Sequence, residues 1–266
     1  MDSWFNFTLH QKSSEADVLE ELSSCNLQNI CFLQDLESGE TTLCATADDS
    51  LFSKNWKHIT SYTKIENPDI NWSQEWDTFS PYFQNGLARI PLSDFAPASK
   101  EELTLLPGPG FGDLSHPTTT LSLTLLAKYA AEKTLIDLGC GSGILSLAAL
   151  KWNAHFVYSL DIDQDALNHT QKNALYNHFE DRIYISSALP SNLAPPPSLL
   201  VMNMTFGDQK EALKSLSFIP NLWIISGILK KQKETYFKWA EKKGFKVLEV
   251  LTQDQWIACV MLKKQI

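Results

Sequence analysis

Two periodicities divide this chain. Over its first quarter, apolar and polar residues alternate in short stretches. From Thr134 onward, continuous apolar runs are separated by segments with helical spacing. Trp4–Leu9 has the period of two of a half-buried strand, and Ala16, Val18, Leu19 and Leu22 follow Ser13-Ser14-Glu15 as an amphipathic helix follows its cap. Ile30–Leu36 and Thr41–Ala47 read as strands of a hairpin turning at Glu37–Glu40. Another helical turn starts at Asp48-Asp49, and Ile59–Ile65 reads as a strand. The order predicts a small α+β sandwich over residues 1–66.

Residues 67–97 read as a linker with a short helix at Asn71–Trp76 and an extended run, Tyr82–Leu92, bounded by Pro81 and Pro91. Pro107-Gly-Pro-Gly110 is a loop. Behind it, Pro117 suits a helix's first turn with Ser115 or His116 as its cap, and Leu121, Leu123, Leu125 and Leu126 continue the helix. Residues 98–266 form the second domain. Its expected strands are Thr134–Leu138, Phe156–Asp161, Arg182–Ser186, Leu199–Met204, Leu222–Ser226, Phe245–Leu251 and Trp256–Leu262. Helices are expected at Ile144–Lys151, Gln164–Asn177, Asp208–Leu216 and Lys230–Lys243. Only Thr252–Gln255 separate the last two strands, too few for a crossover, so these close as an antiparallel hairpin. The fold class is α/β: a Rossmann-like sheet of seven strands behind a small α+β domain.

The chemistry gathers at TLIDLGCGSG, Thr134–Gly143. A buried strand, the glycine turn Gly139, Gly141, Gly143 and the start of a helix let a ligand approach bare backbone beside helix N–H groups. A dinucleotide site wants a third glycine where Ile144 stands. Asp137, two residues before the first glycine, would repel a pyrophosphate and suit a cofactor with a cationic amino-acid end. Asp161 ends the second strand 22 residues past Gly139, near the spacing at which an acid grips ribose hydroxyls. Asn203 ends the fourth strand. The first and fourth strands flank the switch point of such a sheet, so Asn203 faces the cofactor's reactive end, where a carboxamide can accept a hydrogen bond from an amine. Taken alone, it reads rather as a cap of strand and turn.

Composition trims the alternatives. Net charge is −9, which argues against a nucleic-acid binder, so no direct nucleic-acid partner is expected. The charge is uneven: residues 1–100 hold 15 acids against 6 lysines and arginines, residues 228–266 hold 9 lysines against 4 acids. An acidic N-terminal domain reads equally as an attractor of a basic partner and as a solubilising surface. The five cysteines form no C-x-x-C pair, so a metal site is not expected. No apolar run reaches a membrane span and MDSWFNFTLH is no secretory signal, so a cytoplasmic protein is expected. A monomer is expected too, although no residue pattern fixes the oligomeric state.

On these residues the chain resembles the family of methyltransferases that act on ribosomal protein eleven of the large subunit. The likeness spans nearly its whole length: NWSQEW (Asn71–Trp76), PGPGFGDLSHPTT (Pro107–Thr119), IDLGCGSGIL (Ile136–Leu145), DID (Asp161–Asp163), the Asn203 strand end and SGIL (Ser226–Leu229). The resemblance implies a ferredoxin-like N-terminal module that recognises a basic ribosomal protein. It implies a swinging linker helix and a catalytic domain that moves methyl groups from S-adenosylmethionine to lysine and N-terminal amines. It puts cofactor contacts at Thr119, Gly139, Asp161 and Asn203, and the glycine turn adds Gly141; Asn203 is also the residue expected to position the amine. The family usually reads F-G-T-G ahead of its HPTT segment, where this chain has Asp113 and Leu114. Competing readings are an NAD-linked oxidoreductase, a nucleic-acid methyltransferase, and a non-catalytic adenosyl-binding or ribosome-assembly factor.

Overall fold

The computed structural model describes residues 3–10, 13–22, 28–34, 41–47, 56–65 and 71–264. The chain divides into two units, Met1–Ile70 and Asn71–Ile266.

In the first unit, β1 (Ser3–Leu9), α1 (Glu15–Leu22), β2 (Gln28–Gln34), β3 (Thr41–Ala47) and β4 (Ile59–Ile65) follow the expected order. The strands form an antiparallel sheet in the order β2-β3-β1-β4. This is the split β-α-β arrangement of a ferredoxin-like sheet. The helical turn expected at Asp48-Asp49 lies outside the described residues. Ser14 caps α1: its hydroxyl accepts from Asp17 N–H at 3.2 Å, and the Asp17 carboxylate accepts from Ser14 N–H at 3.3 Å. The helix lays Val18 and Leu22 on Phe5, Phe7, Leu43, Ala45 and Ile59, a core of its own.

The second unit begins with α2 (Trp72–Phe79), which Asn71 caps through its side chain. The extended run expected over Tyr82–Leu92 is interrupted. Asn85 and Gly86, at φ +54° and +82°, turn it into a hairpin of β5 (Phe83–Gln84) and β6 (Leu87–Pro91). An Asn-Gly pair favours that turn. β7 (Glu102–Leu105), which the sequence pattern did not mark, adds to β6.

Beyond these come α3 (Pro117–Tyr129), β8 (Thr134–Leu138), α4 (Ile144–Lys151), β9 (Phe156–Leu160), α5 (Gln164–Tyr176), β10 (Ile183–Ser186), β11 (Leu199–Asn203), α6 (Phe206–Ser215), β12 (Leu222–Leu229), α7 (Lys233–Lys242), β13 (Phe245–Gln253) and β14 (Trp256–Lys263). The seven-stranded sheet runs β10-β9-β8-β11-β12-β14-β13. Its strands are parallel as far as β12, and β14 is antiparallel to both β12 and β13, so the closing hairpin stands as expected. Ile136, Leu138, Tyr158, Leu200 and Met202 pack on α6 and α7 as one core cluster. Each such buried side chain contributes about 1.5–3 kcal/mol. α3 and α4 lie together on the other face.

β12 runs three residues past the expected Ser226. Gly227, at φ +82°, bends it, the register shifts, and Ile228 and Leu229 pair again with β14. A Cβ at Gly227 would meet Met204 O at 2.2 Å, so the bend also admits a close backbone approach from the end of β11.

Candidate active site

The chain reverses direction across the sheet between β8 and β11, and the expected residues gather at the carboxyl ends of those strands. Asn203 ends β11 half-buried, and its Nδ2 donates to Thr119 Oγ1 at 3.4 Å. Thr119 is fully buried in the first turn of α3. The Met204 methyl lies where a Cβ on Gly139 would be, at 2.4 Å, so the glycine turn and the Asn203 strand end face each other. The Asp161 carboxylate accepts from Gly141 N–H at 3.0 Å and from Asp163 N–H at 3.1 Å. Thr119, Gly139 and Asn203 thus form one group, Gly141 and Asp161 another, joined by the turn itself.

His116 is the cap of α3, accepting from Thr118 N–H through Nδ1 at 3.3 Å, with Pro117 behind it. Burial lowers its pKa to about 4, which keeps the ring a neutral acceptor. His116 stands edge-on between Phe111 and Trp256, 5.7 and 4.9 Å away.

Two expectations need correction. Asp137 does not face the ligand side of the turn. It is 1% exposed, and its Oδ2 accepts from Ser146 Oγ at 2.6 Å, which in turn lies 2.6 Å from Ser159 Oγ. Burial raises its pKa to about 7. A strand residue facing α4 is roofed by that helix, and the acid serves the layer behind the turn. The turn's N–H groups, expected to be open, are also engaged: Gly141 donates to Asp161, and Ser142 N–H to Phe111 O at 2.9 Å. Cys140 is buried within the turn, and desolvation pushes its thiol well up, so it carries no thiolate.

The loop ahead of α3 is built onto this turn. A Cβ on Gly110 would lie 2.4 Å from the Gly141 carbonyl carbon, and one on Gly141 would lie 2.5 Å from Phe111 O. Only two glycines allow the backbones to lie so close. Asp113 Oδ1 accepts from Ser115 N–H at 3.1 Å, and Asp113 O accepts from Ser80 Oγ at 2.7 Å.

The supports of the site were not marked by the sequence pattern. α5 turns a polar face inward. His169 Nδ1 accepts from Gly110 N–H at 3.0 Å while Nε2 donates to Leu106 O at 2.8 Å. Thr170 Oγ1 donates to Gly141 O at 2.9 Å, and Asn173 Nδ2 to Ser142 O at 2.8 Å. On α6, the fully buried Gln209 donates to Met204 O at 2.8 Å and Ser226 O at 2.9 Å, and accepts from the Tyr236 hydroxyl at 2.6 Å. The available signal was polar residues at positions where a helix should be apolar.

Residues 7–264 match the family model described as ribosomal protein L11 methyltransferase (PrmA). The chain is similar to a ribosomal protein L11 methyltransferase of Legionella pneumophila strain Lens. The two are 40% identical over 260 residues, 86% of this chain and 89% of that one. It is also similar to one of Haemophilus influenzae strain PittEE, 32% identical over 288 residues and 96% of each chain. Among solved structures, a ribosomal protein L11 methylase of Lactobacillus delbrueckii subsp. bulgaricus aligns with TM-score 0.49 at 27% identity. That alignment covers 59% of this chain and 82% of that one.

Proposed function

This chain belongs to the ribosomal protein L11 methyltransferase family, and we propose that it moves methyl groups from S-adenosylmethionine to lysine and N-terminal amines of ribosomal protein L11. The residues at the switch point fit that cofactor. Beside the glycine turn, the Asp161 carboxylate accepts from Gly141 and Asp163 N–H and keeps lone pairs for ribose hydroxyls. Ile144, 2% exposed, stands where a pyrophosphate site needs glycine. Thr119, Gly139, Gly141, Asp161 and Asn203 hold it.

The observation that carries the reading is the Asn203–Thr119 bond beside Gly139. With Nδ2 given to Thr119, Asn203 Oδ1 is left to accept from the incoming amine and aim its lone pair. When bound, S-adenosylmethionine supplies a sulfonium methyl already activated toward nucleophiles. Alignment is then the protein's main task, and positioning is worth about 7–11 kcal/mol of barrier. A lysine enters with a pKa of about 10.4, and desolvation on entering the site favours its neutral form. The acidic first unit, with 12 acids against 4 lysines, attracts the basic substrate.

The test is transfer of labelled methyl from S-adenosylmethionine to purified ribosomal protein L11, with methylated amines located by mass spectrometry. Asn203→Ala should lower turnover about 100-fold while the dissociation constant for S-adenosylhomocysteine changes little. Equal loss of both would refute the positioning role, and no label on the protein would refute the substrate.

A further inference from the structure

A second feature lies at the other end of the central sheet. Asn203 and Ser226 pair at the carboxyl ends of β11 and β12, whereas Trp223 and Lys263 sit at the opposite end of β12 and β14. There a cavity of about 580 Å³ opens between the C-terminal parts of α6 and α7. That volume falls within the range of about 300–1,000 Å³ usual for ligand sites.

Trp223 and Phe245 stack at 3.9 Å as its buried floor, and Trp239 forms a half-buried wall. Four exposed lysines stand around the rim: Lys210, Lys214, Lys243 and Lys263. The carboxylate among the lining residues, Glu211, is held by Lys214 at 2.7 Å. Lys210, Lys243 and Lys263 pair with no carboxylate among the described residues. Lys243 Nζ instead lies 5.1 Å from the Trp239 ring, and Lys210 Nζ 4.7 Å from the Phe206 ring.

Helix dipoles account for Lys214 and Lys243, which stand at the C-terminal ends of α6 and α7. They do not account for Lys210, in the middle of α6, or Lys263, on a strand. The cluster also runs against a chain of net charge −9. A basic substrate would be repelled here, so the pocket serves a different, anionic ligand. We propose that it binds single-stranded nucleic acid, with a base against Trp239 and the flanking phosphates on Lys210, Lys243 and Lys263. Aromatic walls beside a cationic rim are how bases stack while phosphates are neutralised. Lysine ammonium groups bind phosphates as point charges.

The test titrates the full chain into a labelled ten-nucleotide oligouridylate, read by fluorescence anisotropy from 50 to 200 mM salt, with a labelled polyglutamate peptide in parallel. Binding should weaken with salt with a logarithmic slope of about −2, the release from three single-strand phosphates. Lys210→Glu with Lys263→Glu should weaken RNA binding at least tenfold, and the milder pair of alanine substitutions should act in the same direction. Both pairs should leave methyl transfer to free ribosomal protein L11 unchanged, which keeps this inference separable from the proposed activity. No RNA binding at 50 mM salt, or equal binding by the variants, would overturn it. Polyglutamate binding as tight as RNA would also overturn it and assign the pocket to an acidic protein.

Discussion

Leu114 sits at φ +72° and is 6% exposed, where the resembled family has glycine. A leucine in the left-handed region carries strain of about 1–3 kcal/mol, and burial of its side chain opposes it. Leu114→Ala removes the burial and keeps the strain, whereas Leu114→Gly removes both. We expect the alanine variant to be less stable than the glycine variant by about 1 kcal/mol, the reverse of the usual order, as measured by urea unfolding. His116 gives a pH signature. Its folded pKa, about 4, lies below the ordinary value of 6.5 because of burial, so its contribution is complete above pH 6.5 and is lost as pH falls toward 4. Asn at this position still caps α3 but does not titrate. Wild type should therefore lose stability relative to His116→Asn across that window, and parallel curves would refute it. At this scale the sequence was only partly legible. Gly139, Gly141, Asp161 and Asn203 were marked by their places in strands and turns, Thr119 by the family resemblance alone, and the structure sets them around one strand end and one turn. His169, Gln209 and Asn173 each make contacts 17 to 67 residues away along the chain, besides the bond from Gln209 to nearby Met204, and no local pattern carries the distant ones.

The elements whose pattern was continuous were the legible ones. β8 and α4 have the bounds their apolar runs suggested, because both are buried along nearly their whole length. β7 was missed because four residues with two buried side chains give too little periodicity to separate strand from loop. α6 starts at Phe206, two residues earlier than expected. Thr205 caps it through Asp208 N–H at 3.4 Å, a cap hidden by the apolar Phe206 that follows it. The glycine turn is where an element-scale change is most costly. Gly141 stands at φ +56° with Phe111 O 2.5 Å from its missing Cβ. Gly141→Ala should destabilise the second unit by about 2 kcal/mol or more and displace the loop from the turn. The corresponding readout is a lower melting temperature together with loss of the S-adenosylhomocysteine-induced thermal shift.

Across the whole molecule, each unit has its own core: Phe5, Phe7, Val18 and Leu43 in the first, the cluster between the seven-stranded sheet and α6 and α7 in the second. We propose that recognition resides in the first unit and transfer in the second. Residues 71–266 alone should then bind S-adenosylhomocysteine with an unchanged dissociation constant and show a KM for ribosomal protein L11 raised at least tenfold, measured by isothermal titration and labelled-methyl kinetics. An unchanged KM would remove recognition from the first unit. The division of the chain was legible because its hydrophobic period changes, whereas the basic pocket at the far end of the sheet was not. Lys243 and Lys263 belong to the lysine-rich stretch 228–266, but nothing along the chain joins them to Lys210 and Lys214 of α6. The contact between Gly110 and Gly141 reaches furthest. Two backbones that interlock without side chains between them cannot be inherited or engineered separately. A chimera that takes its glycine turn from one relative and its preceding loop from another should fail unless both partners come from the same parent, so segment exchange in this scaffold has to move Pro107–Gly143 as a block.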